Sequence, residues 1–209
     1  MTDGRLLRGA ATRRAVLRRA VDIASVEGLD ALSIGRLATE LELSKSGVFA
    51  LFGSKEKLQL AAVRAAGEIF TDQVIAPASG AQAGLPRLWK LCECWLDYSR
   101  RRVFPGGCFF FQTAAEFDAR SGRVHDAIAE SHRRWRERLT DVTVEATKLG
   151  HLDSGIEVAQ LVFEIDALAR AANADSVLHG GKAAYHLARG SILTRLRAAA
   201  AAPETLPAS

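Results

Sequence analysis

The sequence predicts an all-α fold, with a three-helix, helix-turn-helix unit at its N-terminal end and a larger set of helices behind it. Three observations predict this. Apolar residues recur at i, i+3, i+4 and i+7 through most of the 209 residues, with Ser, Gly and Pro where the runs begin and end. Two runs, Ser33–Leu41 and Ser44–Phe52, are short and separated only by a tight turn, with a longer helix ahead of them. The last two runs are apolar on more than one side, which a helix facing a single core does not require.

The first helix is expected from Arg13 to about Glu27, opened by Thr12 and stopped by Gly28. Its inward face is Val16, Ala20, Ile23 and Ala24. Residues 1–11 lack periodicity and read as a mobile basic arm. Ser33 caps the second helix, in which Ile34, Leu37, Ala38 and Leu41 share a face. The stretch Leu43–Lys55 then reads as a short helix opened by Ser44, closed by Gly53 and followed by another opened by Ser54. Val48, Phe49 and Phe52 fall on its core side, leaving Lys45, Ser46 and Ala50 facing out. A helix this short depends on its neighbours for stability.

The helix opened by Ser54 runs through Leu58, Ala61, Ala65 and Ile69 towards Val74, and Pro77–Gly84 reads as a small-residue linker. Leu85–Val103 is helical, Phe104–Gly107 breaks it, and Cys108–Asp118 resumes it. A long charged helix follows from Arg123 to Leu149. Two more, Ile156–Leu178 and Ala184–Leu196, turn about His179–Gly181, and the tail from Ala198 is expected to fray.

Composition narrows the function classes. The chain is 48% hydrophobic and 25% charged, with a net charge of +4 and a pI near 9.2. That balance does not itself imply nucleic acid, but its distribution suits a polyanion. Arg5, Arg8, Arg13, Arg14, Arg18 and Arg19 lie within Met1–Val21, opposed only by Asp3. No secretory signal is visible, and the apolar run Val103–Ala115 is too short to span a bilayer. Cys92, Cys94 and Cys108 read as reduced thiols of a cytoplasmic protein.

The run from Ser33 to Leu58, ending Phe52-Gly-Ser-Lys-Glu-Lys-Leu58, resembles the signature of TetR-type (tetracycline-repressor-like) transcriptional regulators over about residues 10–60. Pro105–Phe109 and Glu116–Asp118 also resemble a subgroup of that family. Where the family often carries Tyr-x-Tyr-Phe or Tyr-His-Tyr-Phe, this chain has Phe49-Ala-Leu-Phe52, so the Tyr hydroxyl and His that commonly reach phosphates are missing. Phe49 is therefore read first as core.

The resemblance implies a DNA-binding domain over residues 1–57 and a helical effector-binding and dimerisation domain over 58–209. It implies a homodimeric regulator, most simply a repressor, that binds a palindromic double-stranded operator and is released by a small-molecule effector. Arg13, Ser33, Ser44, Lys45, Ser46, Gly47, Phe49, Ala50 and Lys55 are the expected DNA-binding residues. Trp95, Phe111, Gln112, Glu116, His132, Trp135 and Phe163 are the candidates for the effector pocket. Leu161, Ile165, Leu168, Leu187 and Ile192 are those for the dimer interface.

No catalytic constellation stands out. Cys92 and Cys94 point to different helix faces, and His125/His132 and His179/His186 are seven apart without converging ligands. Neither a metal nor another cofactor is expected. The alternative from another class is a helical small-molecule-binding protein or enzyme whose N-terminal bundle is only structural. A third is a helix-turn-helix scaffold for a protein partner.

Overall fold

The computed structural model describes residues 2–207, excepting the side chains of residues 2–8 and 204. In chain order its helices are α1 (Thr2–Glu27), α2 (Ile34–Glu40), α3 (Lys45–Phe52), α4 (Lys55–Phe70), α5 (Ala76–Ser79), α6 (Leu85–Arg100), α7 (Phe109–Phe117), α8 (Arg123–Lys148), α9 (Val158–His179) and α10 (Ala183–Ala199). Short 3-10 turns occupy Leu29–Ala31 and Pro203–Thr205. Among the described residues the one β-type pairing is an isolated bridge between Leu152 and Ala200. None of the described helices is long and apolar enough to cross a membrane.

The chain divides into two compact units, Met1–Ile69 with Phe104–Ser131, and Phe70–Val103 with His132–Ser209. In the first, α1 packs on α2, on the Leu29–Ala31 turn and on α7. Its buried residues include Val16, Ala20, Ile23, Leu37, Val48, Leu58, Phe104 and Phe109. Gly106 lies so close to α1 that a Cβ there would stand 1.7 Å from the Ser25 carbonyl oxygen, and its N–H donates to Ser25 Oγ at 3.1 Å. Only glycine permits that approach. In the second unit α9 packs along α10, and α6 against both. Leu88, Leu91, Leu139, Leu161, Ile165, Ile192 and Leu196 are buried there.

Three expectations about element limits are corrected. The basic arm is helical: α1 starts at Thr2, and Thr12 lies inside it rather than capping it. Periodicity reports burial, and Gly9, Ala10 and Ala11 are exposed, so no stripe marked a segment whose Ala, Leu and Arg still favour helix. The linker shrinks to residues 80–84, because α4 passes through a π-helical turn (Thr71–Ile75) into α5. Pro77 sits in the first turn of α5, where its missing N–H costs nothing. The C-terminal tail does not fray at Ala198. Asp153 N donates to Ala199 O at 2.9 Å, Ala201 N to His151 O at 3.1 Å, and Leu206 is buried.

Candidate functional site

The exposed face of α3 is produced by its caps. Ser33 Oγ accepts from Arg36 N at 3.1 Å and opens α2. The turn closes through Glu42, whose φ of +54° is one that L side chains seldom adopt. Ser44 Oγ then accepts from Gly47 N at 3.1 Å, and Gly53, at φ +76°, ends α3 with its N–H donated to Phe49 O. A cap of this kind contributes about 1 kcal/mol. Gly47 has a reason beyond exposure, since a Cβ there would stand 2.9 Å from Ser44 Oγ and crowd the cap.

With α3 so fixed, Val48 and Phe52 are buried, while Lys45, Ser46, Gly47, Phe49 and Ala50 are exposed. This corrects the reading of Phe49 as core: it is 56% exposed. The spacing that places Val48 and Phe52 inward turns Phe49 out beside Lys45, one helical turn away.

Two cations expected at DNA are engaged within the fold. Arg13 Nη1 donates to Leu51 O at 2.7 Å, and its guanidinium lies 4.6 Å over the Phe52 ring, clamping the C-terminal end of α3 to α1. Lys55 Nζ donates to Asp30 O at 2.6 Å. Arg14, Lys45 and Lys57 are exposed and hold no ion pair among the described residues. The side chains of Arg5 and Arg8 lie outside the described residues.

Charge pairs join α1 to α2. Arg36 donates to both Glu27 oxygens at 2.6 and 2.7 Å and to Glu40 at 2.8 Å, and Arg19 donates to Glu40. Hydrogen bonds from Arg36 hold the Glu27 and Glu40 carboxyls below the usual carboxylate range.

The α7 helix supplies an anchor for this unit. Glu116 accepts from Leu29 N at 2.6 Å and Asp30 N at 2.9 Å, capping the turn between α1 and α2. Arg120 pairs with Asp30, and Gln59 Nε2 donates to Leu29 O at 3.0 Å. Glu116 was expected to orient an effector. Its two oxygens are instead committed to backbone N–H groups of the first unit. Phe111 and Gln112, half-buried on the same helix, belong to that unit as well.

The second unit gathers the other pocket candidates apart from Phe163. Trp95 and Trp135 meet edge to face at 5.0 Å, and Phe70 lies 5.1 Å from Trp135 and 5.4 Å from Tyr98. Arg170 binds Asp166 Oδ2 through Nε at 2.8 Å and reaches His132 Nδ1 at 2.8 Å through Nη2. Trp135 Nε1 and Asp166 Oδ1 are buried with no hydrogen-bond partner among the described residues. Phe163, 58% exposed, is corrected out of this group, because it lies on the outer side of α9.

Two family models match the chain: "Bacterial regulatory proteins, tetR family" over residues 16–62, and "Tetracyclin repressor-like, C-terminal domain" over residues 84–192. The chain belongs to the TetR family.

Solved structures share its fold. A TetR transcriptional regulator from Chloroflexus aurantiacus is 21% identical, covers 92% of this chain and 98% of its own, and superposes with a TM-score of 0.85. A transcriptional regulator from Saccharomonospora viridis, solved in complex with choline, is 20% identical over 88% and 94% of the two chains, with a TM-score of 0.73. AibR, solved with isovaleryl coenzyme A and operator DNA, is 15% identical over 86% and 95%, with a TM-score of 0.67. No curated protein matches the chain.

The helix pair at the end of this TetR-family chain revises the dimer candidates. Leu161, Ile165 and Ile192 are fully buried in the single chain, so they are core rather than free surface, and Leu168 is half-buried. Leu187, 72% exposed, remains on the outside. The outer stripe is a different set: Phe163, Ala167, Ala171 and Leu178 on α9, and Ala183, Leu187, Ser191 and Thr194 on α10.

Sequence reasoning missed a polar network here. Ser99 Oγ donates to Asn173 Oδ1 at 2.6 Å and lies 2.7 Å from Tyr185 Oη. Arg102, at φ +54°, donates to Tyr185 Oη and to the Ser176 carbonyl and hydroxyl. It joins the end of α6 to α9 and α10, and no local spacing announces it.

Proposed function

We propose that this TetR-family regulator is a ligand-responsive repressor that binds a palindromic operator as a homodimer and leaves it when a small-molecule effector binds. The observation that carries the reading is the face of α3. It is held rigidly by Ser44, Gly53 and Arg13, yet presents Lys45, Ser46, Gly47, Phe49 and Ala50 to solvent. Such a helix fits the major groove, and a two-fold dimer places two copies roughly one duplex turn, ~34 Å, or a little more apart. Residues 1–57 then form the DNA-binding domain, braced by α7 within the first unit, and the remainder of residues 58–209 the effector-binding and dimerisation domain. Arg14, Lys45 and Lys57 supply phosphate contacts, with Ser33, Ser44 and Lys55 beside them; phosphates position the protein without reporting sequence.

The exposed stripe of α9 and α10 supports the homodimer. It mixes large side chains with Ala, Ser and Thr, interrupted on α9 by the exposed Asp175, so two copies related by a two-fold axis can pack it against itself. The buried Trp135 Nε1 and Asp166 Oδ1 support an effector site near Trp95 and His132. Each is a polar group that a bound effector can satisfy, the indole N–H by donating and the carboxylate oxygen by accepting. Release requires the effector to bind the non-operator state more tightly than the operator-bound one.

The test is operator binding by the full chain, followed by fluorescence anisotropy across a salt series. Sequence-specific binding that weakens with salt is expected, and Lys45→Ala should reduce operator affinity about tenfold or more. Equal affinity for every sequence, or a salt slope near zero, refutes the reading. Tight binding of a small molecule without any DNA binding favours a ligand-binding protein with a structural N-terminal bundle.

A further inference from the structure

We infer that α3 recognises its operator chiefly through thymine 5-methyl groups, met by the exposed ring of Phe49 and the methyl of Ala50. This rests on the operator-binding reading and supplies the chemistry of the bases recognised. Lys45–Phe52 contains no Arg, Asn, Gln, Asp or Glu. The planar two-point contacts by which Arg reads guanine and Asn or Gln reads adenine are therefore absent from this helix.

The remaining polar groups are few. Lys45 brings one compact charge, suited to guanine O6 and N7 or to a phosphate. Ser46 Oγ lies 3.4 Å from Ser44 Oγ, and the Gly47 N–H is donated to that same Ser44 hydroxyl. What the helix offers in quantity is apolar surface. A single exposed apolar side chain is ordinary on a protein. Phe49 is set apart by position, because it follows Lys45 by one turn on the exposed side, as Ala50 follows Ser46. The major groove presents one apolar feature to such groups, the C5 methyl of thymine.

The test uses the full-length chain and a pool of randomised duplex DNA, from which the preferred site is enriched. Each thymine of that site is then replaced in turn by deoxyuridine, which removes the methyl and keeps the hydrogen-bonding edge. Fluorescence anisotropy should show one or two thymines per half-site whose methyl loss weakens binding about three- to fivefold. At least one of these replacements should lose its effect in Phe49→Ser, an exposed substitution whose intact helicity circular dichroism confirms, while a thymine met by Ala50 stays sensitive. An enriched site in which every thymine tolerates uracil without loss overturns the inference and leaves operator binding standing. A pool from which no sequence is enriched overturns both.

Discussion

Gly28 and Glu116 lie 88 positions apart in sequence yet form one structural element, and a double-mutant cycle tests it. Glu116 accepts from Leu29 N at 2.6 Å and from Asp30 N at 2.9 Å. Glu116→Ala removes two charge-assisted bonds, one to a partly buried N–H and one to an exposed N–H that water can satisfy, at a cost of about 3 kcal/mol. Gly28 has φ +86°, and a Cβ built there stands 2.6 Å from Glu116 Oε2. Gly28→Ala thus forces alanine into an extended, positive-φ conformation that is essentially glycine's alone, at about 2 kcal/mol, and also drives the carboxylate off the amides, for a total of about 5 kcal/mol. With Glu116 already removed the clash disappears, so the double variant should lose about 5 kcal/mol rather than the additive ~8 kcal/mol. Urea denaturation followed by far-ultraviolet circular dichroism measures all four proteins. Losses that add within experimental error refute the proposed contact as the cause.

Three further outcomes are expected. The Glu27 and Glu40 carboxyls titrate below their ordinary value near 4.5, so their stabilisation is fully present above that value and is lost as pH falls through the lower, folded-state pKa. Thermal melts from pH 7 to 3 should show this fall, and Arg36→Gln should flatten it. Leu187→Glu places a charge on the exposed stripe and should yield a folded monomer by sedimentation, whereas Ile192→Glu buries an unpaired charge and should unfold the chain. Burial pushes the Cys92 thiol up to about 12, so it should resist alkylation at pH 8 in the native protein and react once unfolded.

What the sequence made legible was local. Ser33, Ser44 and Gly53 mark their helix ends because capping uses groups within a few residues, and their geometry follows the spacing. The side of a helix that a residue occupies was harder to read. Phe49 passed for core because its chemistry resembles that of Val48 and Phe52, and only the packing of α3 shows it turned outward. Leu161, Ile165 and Ile192 passed for interface because an apolar side chain does not reveal whether its own chain already covers it. Long-range pairings were illegible for a different reason. Arg13 with the Leu51 carbonyl, Glu116 with the Leu29 amide and His132 with Arg170 are set by tertiary approach, and the Arg, Glu and His side chains alone look like those of ordinary surface residues.

The first unit is discontinuous in the chain, and this has a consequence for how the protein is made. Its α1–α4 portion leaves the ribosome before Phe104–Ser131, which begins about 35 residues later. At ~5–20 residues per second, a few seconds pass before α7 exists. Throughout that interval the Leu29 and Asp30 amides lack Glu116, and Ser25 lacks the glycine that packs against its carbonyl. The nascent DNA-reading head thus completes its fold only after the whole of the second unit's α6 has been synthesised, so a chain interrupted between residues 70 and 103 yields a head without its anchor.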